Sequence, residues 1–90
     1  GDALAQFKYA RMLYVGEGGE ADLTQALKYF KLAADQGLAE AQFNYGSMVF
    51  EGKGGKVDLP KARAYYKLAA DQGVAQAQNN YAAMLREGMG

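Results

Sequence analysis

The chain has no cysteine and no histidine. Without cysteine there is no disulfide framework and no thiolate, and without histidine no imidazole to hold a metal or to act as a base near neutral pH. Nucleophiles are almost absent as well. There is one serine, Ser47, and one threonine, Thr24, and no histidine to activate either. The ten carboxylates do not supply a paired acid and base. Asp22 and Asp58, and Asp35 and Asp71, recur at corresponding places and read as caps and turn residues, while Glu17, Glu20, Glu40, Glu51 and Glu87 are scattered. No cofactor or metal is expected, and the chain does not read as an enzyme. Ten basic residues cancel ten acidic ones. Neither half carries a strong charge, which argues against nucleic acid or an anionic membrane as the partner. No apolar run approaches a membrane-spanning length. The chain opens at Gly1 without a charged-then-apolar leader.

What is present is repetition. Half of the 90 residues are apolar and about a fifth are charged, the balance of a globular chain. Residues 1–36 and 37–72 are identical at 20 of 36 positions without a gap, and a third copy runs from Gly73 to Gly90. A fixed period in this range marks stacked supersecondary units, and so a solenoid. The expected organisation is a single domain over 1–90 with units 1–36, 37–72 and a half unit 73–90.

Glycines punctuate each unit. Gly16, Gly18 and Gly19 recur as Gly52, Gly54 and Gly55, and Gly37 recurs as Gly73 after the shared KLAADQ. Glycine just past an apolar-periodic stretch marks a helix end. The intervals predict a first helix in each unit at about 2–15, 39–51 and 75–87, and a second at about 22–35 and 58–71. Asp22 followed by Gln25 reads as a capping box, Asp58 can cap the equivalent helix, and Pro60 suits a first turn. No stretch alternates at period two, so strands are not expected. The run Gly52-Lys53-Gly54-Gly55-Lys56 is not a phosphate loop: it follows a helix, lacks the GxxxxGK[ST] spacing, and has a lysine-free copy at 16–20.

Apolar spacing assigns the core. Along the first helix, Ala5, Tyr9, Met12, Leu13 and Gly16 share a face, with copies Ala41, Tyr45, Met48, Val49, Gly52 and Ala77, Tyr81, Met84, Leu85, Gly88. The second helix is expected to bury Leu23, Ala26, Tyr29 or Phe30, and Ala33, and likewise Leu59, Ala62, Tyr65 or Tyr66, and Ala69. Gly46 lies mid-helix where the other units have Ala10 and Ala82, which predicts a close helix crossing.

These motifs resemble the Sel-1-like repeat, a relative of the tetratricopeptide repeat. The matching elements are an AxAQ opening (Ala3–Gln6, Ala39–Gln42, Ala75–Gln78), a GxG turn with an Asp four residues beyond its second glycine (Gly18 to Asp22, Gly54 to Asp58), Ala-x-x-aromatic-aromatic (Ala26/Tyr29/Phe30, Ala62/Tyr65/Tyr66), and an AAxQG close (Ala33–Gly37, Ala69–Gly73). The departures are Tyr9-Ala10, Tyr45-Gly46 and Tyr81-Ala82 where the family usually has Leu-Gly, Leu13, Val49 and Leu85 where it has Tyr, and Tyr29 and Tyr65 where Trp is common. The resemblance spans the whole chain. It implies an all-α fold, a right-handed α/α superhelix of five helices, and a scaffold for proteins rather than an enzyme. Relatives occur in bacterial envelope and secretion settings and in eukaryotic quality-control assemblies, so the resemblance does not choose a compartment.

In a solenoid the residues that repeat hold the stack and those that vary face a partner. The varying face of the first helix carries Phe7, Lys8, Arg11, Tyr14, Phe43, Asn44, Ser47, Phe50, Asn80, Ala83 and Arg86. Aromatics, arginines and asparagines together suit a protein or peptide on the concave side. The competing expectation is that Phe7, Phe43, Tyr14 and Phe50 only fill gaps between helices. The last helix has no second helix after it, so Tyr81, Met84 and Leu85 are expected to form an open end that self-associates or docks on further repeats. The alternative to a binding scaffold is a purely structural spacer, part of a longer array or a designed repeat.

Overall fold

A computed structural model describes residues 2–90. Among them are five helices and no strand: α1 (Ala3–Val15), α2 (Leu23–Asp35), α3 (Ala39–Glu51), α4 (Leu59–Asp71) and α5 (Ala75–Arg86). Each helix packs on its neighbour in chain order, α1 on α2 through α4 on α5, which draws the molecule out to 40 × 24 × 17 Å.

The punctuation works as its chemistry requires. α3 stops at Gly52, whose φ of 73° is left-handed and whose amide donates to the Met48 carbonyl. Asp22 and Asp58 cap α2 and α4 by accepting from the amides of Gln25 and Lys61, both at 3.0 Å. Only this half of the expected capping box forms. The Asp22 amide, which a capping box would give to Gln25, donates instead to the Leu13 carbonyl at 2.8 Å, and Asp58 does the same to Val49 at 3.0 Å. That bond ties each turn back onto the helix before it.

Small residues let the helices approach closely. Ala26, Ala33, Ala41, Ala62, Ala69 and Ala77 are fully covered, and larger side chains (Phe7, Phe30, Tyr45, Met48, Tyr66, Met84) fill the spaces beside them. A methyl at Gly46 would lie 3.1 Å from the Tyr66 ring, the close crossing expected there. Of the paired aromatics, Phe30 and Tyr66 are buried while Tyr29 and Tyr65 are half-buried.

The motif glutamines meet. Gln36 donates to Gln6, and Gln72 to Gln42 at 2.9 Å, joining the AxAQ opening of each unit to its AAxQG close. Gln42 and Gln78 in turn donate to the carbonyls of Ala34 and Ala70, at the end of the preceding helix. One amide thus holds three chain segments in register.

The expected core face is correct for α3 and mostly wrong for α1, where Leu13 alone of the large side chains expected there packs partly buried on the core. Tyr45 and Met48 are 3% and 2% exposed, whereas their copies Tyr9 and Met12 are 47% and 45% exposed, and Ala5 is exposed too. α3 lies between α2 and α4, while α1 has only α2. The residues α1 does bury, Phe7 and Ala10, face α2.

Candidate functional site

The first helices α1, α3 and α5 line one side of the molecule, and two hollows open between them. The first, about 260 Å³, is lined by Arg11, Tyr14 and Val15 of α1, Phe30 of α2, and Phe43, Asn44, Ser47, Met48 and Glu51 of α3. The second, about 320 Å³, is lined by Ser47, Phe50 and Glu51 of α3, Tyr66 of α4, Asn80, Ala83, Met84 and Glu87 of α5, and Met89. Adding 36 to Arg11, Tyr14, Val15, Phe30, Asn44, Ser47, Met48 and Glu51 gives Ser47, Phe50, Glu51, Tyr66, Asn80, Ala83, Met84 and Glu87. The second hollow is the first repeated one unit along, with most of its lining side chains changed.

Of the residues expected on this face, Arg11, Tyr14, Phe43, Asn44 and Ser47 meet in the first hollow, and Ser47, Phe50, Asn80 and Ala83 in the second. Three lie elsewhere. Phe7 is buried edge-on against Phe30, with ring centroids 5.8 Å apart. Lys8 borders a separate depression with Met12 and Glu17 at the α1 end, and Arg86 is exposed but lines neither hollow. At the open end, Tyr81 is half-buried and Leu85 exposed, but Met84 is buried. Methionine at this position faces the preceding second helix, so Met84 is covered by α4 while Met12 is bare.

The floor of the groove comes from the second helices, which the sequence reading assigned only to the core. Phe30 underlies one hollow and Tyr66 the other, and the Tyr66 hydroxyl donates to Ser47 Oγ at 3.0 Å. The aromatic pair in each unit was the available signal, but not which member faces inward. Lys53, in the glycine-rich turn between α3 and α4, also reaches the first hollow. Its Nζ donates to the Tyr14 hydroxyl at 2.8 Å and lies 5.3 Å from that ring's centre, with Glu51 at 3.4 Å. The Tyr14 bond and the Glu51 charge hold this ammonium above its usual pKa. Position 53 is Glu17 in the first unit, so no periodic signal pointed to it.

A second polar cluster lies on the second helices. Tyr65 donates to Asp35 at 2.6 Å, and Lys31 donates to the same carboxylate at 2.8 Å. Burial and the bond to Asp35 push the Tyr65 phenol well above its ordinary value. Partial burial works to raise Asp35, but the bonds from Lys31 and Tyr65 outweigh it and the carboxyl is lowered. The cluster joins α4 to α2. No helix among the described residues is long and apolar enough to cross a membrane.

A family model for the Sel1 repeat matches residues 3–38, 39–74 and 75–90. The chain belongs to the Sel1 repeat family. Sel1 repeats are generally non-catalytic and commonly serve as protein-interaction scaffolds. Two solved structures are similar over the whole chain. One is c5321, a protective antigen of uropathogenic Escherichia coli strains displaying an SLR fold, at 36% identity and a TM-score of 0.96 over 100% of this chain. The other is a Sel1 repeat protein from Oxalobacter formigenes, at 31% identity and a TM-score of 0.95 over 99% of it. The Sel1 chain spans 19% of the first protein and 37% of the second. No curated protein matches it by sequence at a significant level.

Proposed function

We propose that this Sel1 chain is a non-enzymatic scaffold that holds a segment of a partner protein in the groove along α1, α3 and α5. The observation that carries this reading is the pair of hollows built on one set of positions but lined by different side chains. A surface that served only to hold the stack would repeat its residues as the glutamine bonds do. Asn44 and Asn80 recur at the same place and can hydrogen-bond an extended backbone, while Tyr14 and Phe50 offer aromatic walls. The groove stands on packed helices, so little ordering is lost on binding. The test compares affinity capture from source lysate by the wild-type chain and by Arg11→Glu/Tyr14→Ala/Phe50→Ala, both shown to be folded by circular dichroism. A protein held by the first and released by the second supports the groove; identical captures contradict it.

A second reading, assembly through the ends, is favoured by the bare face of α1. Met12 and the outer half of Tyr9 are exposed where α3 packs its copies against its neighbours, although the Tyr9 ring rests edge-on against Tyr29 at 4.9 Å. At the other end Tyr81 is half-buried and Leu85 is exposed. Light scattering at high concentration tests this directly: self-association that Met12→Lys or Leu85→Lys abolishes supports it, and a monomer throughout rejects self-association.

A further inference from the structure

We propose that the second hollow, between α3 and α5, receives a lysine or arginine side chain of the bound segment; this rests on the groove reading above. Because the hollows share positions, their differences isolate what each one selects. Moving one unit along, Arg11 becomes Ser47, Val15 becomes Glu51 and Glu51 becomes Glu87. In the first hollow Arg11 and Glu51 cancel; in the second Glu51 and Glu87 give two negative charges with no cation in the lining. Lys53 Nζ lies 3.4 Å from Glu51 Oε1 and also donates to the Tyr14 hydroxyl of the first hollow, so it offsets part of the Glu51 charge from that side and leaves Glu87 as the carboxylate with no ion pair among the described residues.

The remainder of the wall fits the same guest. Phe50, Met84 and Met89 make it apolar, and the Tyr66 ring lies at its base. Lysine and arginine pair an apolar stem with a cationic head, so the stem can lie on the thioethers and the ring while the head reaches the carboxylates. Low-dielectric walls strengthen that attraction relative to open water. An acidic side chain would be repelled, so the hollow selects against as well as for.

The probe is a random 12-residue peptide library displayed on phage, selected on the full chain and separately on Glu51→Gln/Glu87→Gln. Wild-type binders should carry a basic residue at a fixed position, and binders of the double variant should not. In fluorescence anisotropy, replacing that residue by methionine should weaken binding to wild type roughly three- to tenfold and leave binding to the double variant unchanged, and the effect should shrink with salt. If the selected peptides lack a basic residue yet lose binding to folded Ser47→Trp or Tyr14→Ala chains, the charge assignment is overturned and the groove stands. If binding is indifferent to both of those variants, or nothing is selected, the groove reading falls and takes this inference with it.

Discussion

At the scale of single residues, the decisive positions are those where one atom meets another repeat. Gly54 and Gly18 occupy the same place in consecutive units, both with positive φ (76° and 83°). A methyl on Gly54 would lie 2.2 Å from the Leu23 carbonyl oxygen, while a methyl on Gly18 would meet nothing. Gly18→Ala should therefore lose about 1–2 kcal/mol for the left-handed backbone alone, and Gly54→Ala about 2–5 kcal/mol once the turn is forced off α2. Urea unfolding of the two variants measures the difference. Gln42→Leu should lose about 1–2 kcal/mol in the same assay, because it removes the acceptor of Gln72 and the donor to Ala34. Asp35 gives a pH signature. Its carboxyl is lowered in the folded chain, so its contribution is present above the unfolded carboxylate value and fades as pH falls through the folded one. The carboxylate is substantially exposed, so the contribution stays below about 1 kcal/mol. Asp35→Asn should flatten the acid limb of stability, measured as the urea midpoint between neutral and acid pH.

At the scale of helices, the boundaries were legible and the faces only partly so. Glycine and aspartate placed the ends of α2, α3 and α4 within a residue, because the left-handed stop and the side-chain cap are local chemistry that any reading of the chain can see. The buried face of α1 was not legible. Tyr9, Met12 and Ala5 carry the same periodicity as Tyr45, Met48 and Ala41, and periodicity cannot show that α3 packs on both α2 and α4 while α1 packs on α2 alone. The sequence left Phe7 open between facing a partner and filling a gap between helices, and the structure shows the gap-filling role. A first helix touches two second helices at different angles, so its apolar residues occupy an arc wider than one stripe, and Phe7 with Ala10 makes up the part facing α2. Two measurements read this out. Under mild peroxide, Met12 should oxidise well before Met48 and Met84, with mass spectrometry of peptides as the assay. In amide exchange, α3, the middle helix and the one with the most buried residues, should be the most protected, and α5, packed chiefly on α4, should open first.

At the scale of the whole molecule, the stack is held by what repeats, and most of the groove lining is made by what does not. The glutamine ties and the small-residue crossings recur unit by unit, whereas Arg11, Ser47 and Ala83 occupy one place in the groove with three different chemistries. Much of that groove could be read from the sequence, since variation against a fixed repeat marks it: Arg11, Tyr14, Asn44, Ser47, Phe50, Asn80 and Ala83 were named from the pattern alone. Its floor could not be read, because Phe30 and Tyr66 each sit beside another aromatic and only the packing decides which one turns inward. Fold by itself does not name a partner, so the central claim rests on where a partner touches. The most direct measurement places the photo-crosslinker p-benzoylphenylalanine at Asn44 or Ala83, which line the groove, or at Leu32 or Leu68, which are exposed on the second helices, and irradiates each chain in source lysate. Adducts to the same partner from Asn44 and Ala83, and none from Leu32 or Leu68, are the expected result. Adducts from Leu32 or Leu68 with none from the groove positions would contradict the account and move the interaction to the opposite face.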